Sequence, residues 1–222
     1  MDGIHDMGGM HGFGRVDLSQ DEPFSKANWR ARMFGMELSY TQPGGFNVDW
    51  LRHVMECMPP ALYLSSEYYD RWYWRDVGVL VNAGWVTIDE LKSGKATRRP
   101  AGQDEPLSPE SVPMILHQGL DNRRPEPRAP AYKPGDPVRA KTHGSPGATR
   151  LPGYLRGHVG VVEAYRGCFV LPDANAHGEE RADPLYSVRF SAQELWGDVK
   201  SPGDLMLADL WESYLEPTNA GR

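Results

Sequence analysis

The sequence predicts an α+β chain: an extended N-terminal arm, a helical domain, and a small closed β-barrel of the SH3-like kind. Three observations carry this reading. Apolar residues recur at helical spacing from about residue 24 to 120, a proline-rich charged stretch interrupts them at 121–134, and beyond it apolar and polar residues alternate with a period of two. The expected segments are therefore 1–22 for the arm, 23–121 for the helical domain, 122–133 for the linker and 134–222 for the barrel.

The arm is set by its glycines. Gly3, Gly8, Gly9, Gly12 and Gly14 alternate with His, Met and Phe, too glycine-rich for a helix. Such a segment cannot order itself alone. Ile4, Met7, Met10 and Phe13 recur at three-residue intervals, which favours an arm lying on a partner over a disordered one.

In the helical domain, Trp29, Met33 and Met36 form one apolar stripe. Val48, Leu51 and Met55 line one face of a second helix that ends before Pro59-Pro60. A third runs from about Tyr68 to Ala83 and stops at Gly84, a left-handed cap. Its run Trp72-Tyr73-Trp74 is too aromatic all round for a solvated helix. Thr87-Ile88-Asp89-Glu90 is a capping box opening a short helix that Gly94 closes. Ser108-Pro109-Glu110-Ser111 offers another start, with Pro109 at the first helical position.

The linker, Asn122 to Pro130, alternates arginines, glutamate and prolines. Beyond it, Tyr186 to Ser191 alternates cleanly and Val159-Gly160-Val161-Val162 reads as a buried strand. Pro134-Gly135-Asp136 and Tyr165-Arg166-Gly167 read as turns. About five short strands in about 90 residues suit a small barrel.

Composition excludes several functions. The formal net charge of −6 and the absence of a Lys/Arg cluster argue against nucleic acid and anionic membranes. No apolar run approaches the roughly 20 residues needed to span a bilayer. The opening Met1-Asp2-Gly3-Ile4 lacks the charge and apolar stretch of a signal peptide, so the expected location is the cytoplasm. Cys57 and Cys168 have no C-x-x-C spacing and are expected to be free, buried thiols.

A search for chemistry finds little. The seven histidines show no metal spacing, so no metal is expected on this chain, and no nucleotide or G-x-S-x-G motif occurs. His53 and Cys57 can share a helical face, yet nothing supplies the third group of a nucleophilic triad. The chain holds no complete catalytic constellation.

Four stretches together resemble the β subunit of nitrile hydratase. They are Met1-Asp2-Gly3-Ile4-His5-Asp6-Met7-Gly8-Gly9-Met10-His11-Gly12-Phe13-Gly14, then Tyr63-Leu64 with Tyr68-Tyr69, then Thr149-Arg150-Leu151-Pro152 with Tyr154-Leu155-Arg156-Gly157, and finally Pro184 to Phe190 with Ala192-Gln193-Glu194-Leu195-Trp196-Gly197. The resemblance implies half of an αβ or α2β2 hydro-lyase that converts nitriles to amides and is inactive alone. It implies that the obligate partner, the α subunit, binds cobalt(III) or iron(III) through cysteine thiolates and backbone amides, with two cysteines oxidised. It implies that two arginines of this chain steady those oxidised sulfurs. The matching motifs place them at Arg52, in Asp49-Trp50-Leu51-Arg52, and Arg150, in Thr149-Arg150-Leu151-Pro152. The substrate pocket wall is implied at Val48, Leu51, Tyr68 and Trp72. From spacing alone Arg52 reads as a solvated helix charge, and only the resemblance reverses this; Arg150 reads also as a loop arginine on a barrel carbonyl, and Tyr68 and Trp72 as helix core. The sequence departs from the family at Leu51, where an aromatic residue is common, and at Glu37, where an apolar residue is commoner. Trp72 is similar to the residue of cobalt-type members.

Two other classes fit parts of the chain. Small activators that deliver cobalt to the α subunit resemble the helical half alone, and a complex that hydrolyses thiocyanate also uses β-like chains. The Pro134 to Ala140 and Gly157 to Val162 segments look like strands of ribosome-associated barrels, against which the acidic charge weighs.

Overall fold

The computed structural model describes residues 2–10, 12–16, 28–41, 45–98, 108–119, 121–144, 146–197 and 200–218. Residues 17–22 of the expected arm and 23–27 at the expected helical start lie outside them. The chain divides into two compact units, one of Met1–Met10 with Asp121–Arg222 and one of His11–Leu120. Mixed helices and an antiparallel sheet make it an α+β protein. Among the described residues no helix is long and apolar enough to cross a membrane.

The helical unit opens with α1 (Asn28–Thr41), where Met33 is buried but Trp29 and Met36 of the expected stripe are exposed. α2 (Val48–Glu56) starts at Asn47, whose side chain accepts the Trp50 N–H at 2.8 Å. Pro59-Pro60 ends that helix and also begins the next, α3 (Pro60–Ser65), because proline suits a first helical turn. α4 (Tyr68–Asn82) is opened by a reciprocal cap between Glu67 and Asp70. It closes in a Schellman arrangement at left-handed Gly84, with Trp85 N–H on the Leu80 carbonyl and Gly84 N–H on that of Val81. α2 and α4 pack together. Gly78 makes this close, since a Cβ there would lie 3.2 Å from Val54 Cγ1.

The expected capping box opens α5 (Ile88–Ser93), and Gly94 closes it at φ 65°. Glu90 does more than a cap requires. Its second oxygen accepts the Thr97 N–H at 2.6 Å and hydroxyl at 2.8 Å, so one carboxylate ties both ends of the helix to its exit loop. α6 (Val112–Gln118) starts later than expected. Ser108 to Ser111 forms a turn, with Ser111 N–H on the Ser108 carbonyl, and Pro113 rather than Pro109 stands in the first helical turn.

The sheet unit contains β1 (Arg123–Arg124), β2 (Pro137–Ala140), β3 (Val159–Val170), α7 (Pro172–Asn175), β4 (Ala182–Ser191), α8 (Ala192–Trp196), β5 (Leu205–Trp211) and β6 (Leu215–Pro217). Its antiparallel order is β5-β4-β3-β2-β6, with β1 also on β3. The expected closed barrel is not formed, because the end strands β5 and β6 do not pair. They are nevertheless joined by a single 3-10 turn, Glu212–Tyr214. A flat ladder would hold its ends about 19 Å apart at about 4.8 Å per step. A 3-10 turn rises only about 2 Å per residue, so the sheet must roll while its seam stays open. Val138, Leu151, Leu155, Val162, Tyr186, Val188, Phe190 and Leu210 fill the inside of that roll.

Two strand expectations change. Tyr165-Arg166-Gly167 is not a turn but lies inside β3, where the register against β4 shifts between Val162 and Ala164 and again between Tyr165 and Gly167. Gly167, at φ 102°, gives the strand a bulge instead of a reversal. Tyr186 to Ser191 does not alternate in burial, because the polar members are covered and paired: Ser187 bonds Arg166 and Asp209, and only Arg189 is exposed. The turn at Gly135 forms as read, with Asp136 N–H on the Lys133 carbonyl at 3.1 Å.

Residues 123–132 are bonded to the sheet. Arg128 reaches Asp183 at 2.9 Å and Glu212 at 2.8 Å, and Glu212 also accepts the Tyr186 hydroxyl at 2.6 Å and the Ala131 N–H at 2.8 Å. The first residues of the chain contact the same unit. Asp6 accepts the Gly153 N–H at 2.8 Å, Asp2 pairs with Arg156, and Gly8 and Gly9 lie so close to the Tyr154 side chain that a Cβ would fall within 2.9 Å of it. Met10, Phe13 and Val16 are exposed.

Candidate functional site

Five of the six residues assigned from the sequence fall on one packed helix pair. Val48, Leu51 and Arg52 lie on the first two turns of α2, and Tyr68 and Trp72 on the first two turns of α4. Their environments differ. Leu51 is buried, Trp72 half-buried, and Val48 and Tyr68 exposed, Tyr68 at 60%. The i, i+4 pairing of Tyr68 and Trp72 is realised, with ring centroids 5.4 Å apart.

Arg52 points outward, its side chain 58% exposed and 3.9 Å from Asp49. At that distance and exposure the ion pair holds it weakly. A planar set of five donors is thereby left available on the surface of the helix pair.

Beneath the aromatic surface lies a buried charged cluster that the sequence reading missed. Arg75 is 5% exposed, and its guanidinium sits 4.9 Å from the centroid of the Trp72 ring. It bonds Asp76 at 2.7 Å through Nε and meets Glu37 at 2.9 Å, an ion pair whose angle falls short of a hydrogen bond. Burial pushes the Glu37 and Asp76 carboxyls above their usual range, more than Arg75 pulls them down. Burial opposes the Arg75 charge too, but its bonds to Glu37 and Asp76 outweigh that and raise it. Burial, then the neighbouring Asp76, likewise raises the Tyr40 hydroxyl. The unusual Glu37 is thus the partner of a buried arginine. A signal existed in the adjacent charges Arg75-Asp76 set among tryptophans and valines. The expectation that Trp72-Tyr73-Trp74 would be covered all round is not met, since Tyr73 and Trp74 are exposed and form the solvated face of α4.

Arg150 lies in the sheet unit, on the loop before the 3-10 turn Gly153–Leu155. Its N–H donates to the Tyr214 hydroxyl at 3.1 Å, and that hydroxyl donates in turn to Asp173 Oδ1. Tyr214 and Asp173 are both buried, and burial, then Asp173, holds the Tyr214 proton far above the usual phenol range. The main chain at Arg150 is therefore anchored in the core. Nothing local in the sequence announces an anchor built from residues 41 positions apart.

Other candidates are quieter. His53 Nε2 lies 3.8 Å from Cys57 Sγ, and burial, then Glu56, raises the thiol, the wrong direction for a nucleophile. Cys57 is exposed rather than buried as expected, while Cys168 is buried, and both are free. Among the described residues no three His, Cys, Asp or Glu side chains gather as a metal ion requires. A cavity of about 440 Å³ lies in the helical unit against Met36, Tyr40, Leu80, Trp85 and Val86, and none of Val48, Leu51, Tyr68 and Trp72 lines it.

Comparison with known proteins covers both units. Residues 1–121 match the family model for the nitrile hydratase beta subunit, N-terminal, and residues 121–217 that for its C-terminal part. The chain is 38% identical over 226 residues to the low-molecular weight cobalt-containing nitrile hydratase subunit beta of Rhodococcus rhodochrous, covering 98% of this chain and 100% of that one. It is 34% identical to the cobalt-containing nitrile hydratase subunit beta of Pseudonocardia thermophila, covering 97% and 96%. Among solved structures, a thiocyanate hydrolase from Thiobacillus thioparus aligns with 51% of this chain and all of that chain at 21% identity and a TM-score of 0.41.

Proposed function

This chain belongs to the nitrile hydratase β-subunit family, and from that premise we propose that it is one half of an obligate αβ enzyme that hydrates nitriles to amides. The observation that carries the reading is exposed Arg52 and Val48 on α2, which packs against α4 with its exposed Tyr68. A chain acting alone has little use for aromatic groups and a loosely held guanidinium on the same surface. A partner presenting an anionic, partly apolar site would cover both.

Arg52 and Arg150 are the groups that would hold the oxidised cysteines of the partner. Sulfenate and sulfinate carry charge and several acceptor oxygens. The planar fork of a guanidinium matches them at about 2.7–2.9 Å, which a lysine ammonium does not reproduce. Arg52 is free to swing onto such a group, whereas Arg150 starts from a main chain fixed by Tyr214. Val48, Leu51, Tyr68 and Trp72 form the wall that orients the nitrile and excludes water. The metal belongs to the α subunit, with cobalt favoured by the names of the relatives, and supplies Lewis-acid polarisation of the nitrile. The rolled sheet, with its open seam, stands where the family resemblance implies an SH3-like barrel. The unit containing it, which activators resembling the helical half lack, favours a subunit over an activator.

The test is stoichiometry. This chain and its partner should elute as an equimolar complex, and activity should need this chain continuously. Activity of the partner that persists after this chain is removed would identify an activator and overturn the subunit reading.

A further inference from the structure

We propose that Arg75, clamped by Glu37 and Asp76, is a positioning residue that fixes the Trp72 indole and thereby selects which nitriles the pocket wall accepts. This rests on the nitrile hydratase reading above.

Among the described residues Trp72 has three aromatic neighbours, Phe34, Tyr68 and Tyr69, with centroids 6.3, 5.4 and 5.4 Å away and planes inclined at 36°, 45° and 61°. None is stacked on it, and tilted contacts of this kind survive small rotations of a ring. The Arg75 contact is different. A cation held over a π face is most favourable near the ring centre, so it penalises rotation of the indole out of its plane. Such a cation fixes a ring only if it cannot move itself. Arg75 donates from Nε to Asp76, and its Nη2 lies at ion-pair distance from both Asp76, at 2.6 Å, and Glu37 of α1, at 2.9 Å. Buried Asp76 and the partly covered Glu37, its side chain 15% exposed, share this one guanidinium, so any excursion of Arg75 strands negative charge at Asp76 inside the protein. The clamp is therefore stiff.

A purely stabilising role fits less well. A buried ion triad is commonly no more stabilising than an apolar cluster of the same volume, because desolvation offsets attraction. Phe34, Tyr69 and Trp72 already supply an apolar cluster here. What the triad adds is a fixed direction, delivered one helical turn from Trp72 onto the residue that walls the substrate. A nitrile with a flat ring reads the plane of that indole, whereas acrylonitrile scarcely does.

The experiment uses the assembled, metal-loaded complex labelled with 5-fluorotryptophan, with the Trp72 resonance identified by its loss in Trp72→Phe. Three variants are compared with the natural chain: Arg75→Lys, Arg75→Met, and Arg75→Met with Glu37→Gln, the last relieving part of the stranded charge so that the chain folds. The expected result is a shifted or broadened Trp72 resonance in both Met variants. With it, the benzonitrile-to-acrylonitrile KM ratio should change roughly five-fold, a cation–π-sized effect, while kcat for acrylonitrile changes less. Arg75→Lys should fall between. An unmoved Trp72 resonance, or equal KM changes for both nitriles, would overturn the proposal. If the natural complex makes no amide, the functional reading has failed on its own account. The Trp72 resonance then still decides whether Arg75 fixes the ring.

Discussion

Tyr214→Phe is the most informative single change in the sheet unit. The hydroxyl it removes donates to Asp173 Oδ1 and accepts the Arg150 N–H, and the other Asp173 oxygen is buried without a hydrogen bond among the described residues. The ring itself is retained, so no large cavity forms and the change isolates the hydrogen bonds of that hydroxyl, Thr149 among its partners. A bond to a charged carboxylate contributes about 1.5–3 kcal/mol, and a stranded buried N–H costs about 1–3 kcal/mol more. Some of this is recovered as groups relax toward water, which leaves about 3 kcal/mol of lost stability. For a unit of this size that corresponds to a drop in Tm of roughly 10–20 °C. The assay is urea unfolding of the full chain followed by circular dichroism, with the midpoint falling and the slope unchanged. In the assembled enzyme, the loosened main chain at Arg150 should also lower kcat. An unfolding free energy within about 0.5 kcal/mol of the natural chain would refute the anchor.

Arg52→Lys keeps the charge but loses the planar fork, and should lower kcat roughly a hundred-fold in a complex of normal metal content; unchanged kcat would remove Arg52 from the site. Gly160→Ala should destabilise the sheet unit by about 2–3 kcal/mol. Its Cβ would lie 2.6 Å from Val188 Cγ1 and 2.8 Å from the Arg189 carbonyl, and thermal unfolding reads the loss. Glu90 is held down to about 2 by its bonds to the Thr97 and Thr87 backbones and hydroxyls. A depressed carboxylate lends stability that is present above its ordinary value near 4.5 and lost as pH falls through about 2. Protection of the Thr97 amide in hydrogen exchange should therefore weaken across that window, and Glu90→Gln should flatten the dependence.

How much of this was legible depended on whether the signal was local. The helices α2 and α4, the Thr87–Glu90 box and the left-handed caps at Gly84 and Gly94 were readable because each rests on residues within a few positions. Tyr165-Arg166-Gly167 misled for the same reason: a tyrosine, arginine and glycine have the composition of a turn, and only pairing with β4 converts them to a bulge. The open seam was invisible, since whether β5 meets β6 depends on the curvature of the whole sheet. At the site, the pairing of Tyr68 with Trp72 followed from helical spacing. The Glu37–Arg75 and Tyr214–Asp173–Arg150 connections did not, because each joins residues that only the fold brings together.

The central claim is that nitrile hydration needs this chain joined to a metal-bearing partner. The most direct measurement is conversion of acrylonitrile to acrylamide by three samples: this chain alone, the cysteine-motif partner alone, and the two co-expressed and purified through a tag on this chain. Amide from the complex alone, with stoichiometric cobalt or iron, is the predicted result. Robust turnover by this chain without the partner, or a monomer that recovers neither partner nor metal, would contradict the account.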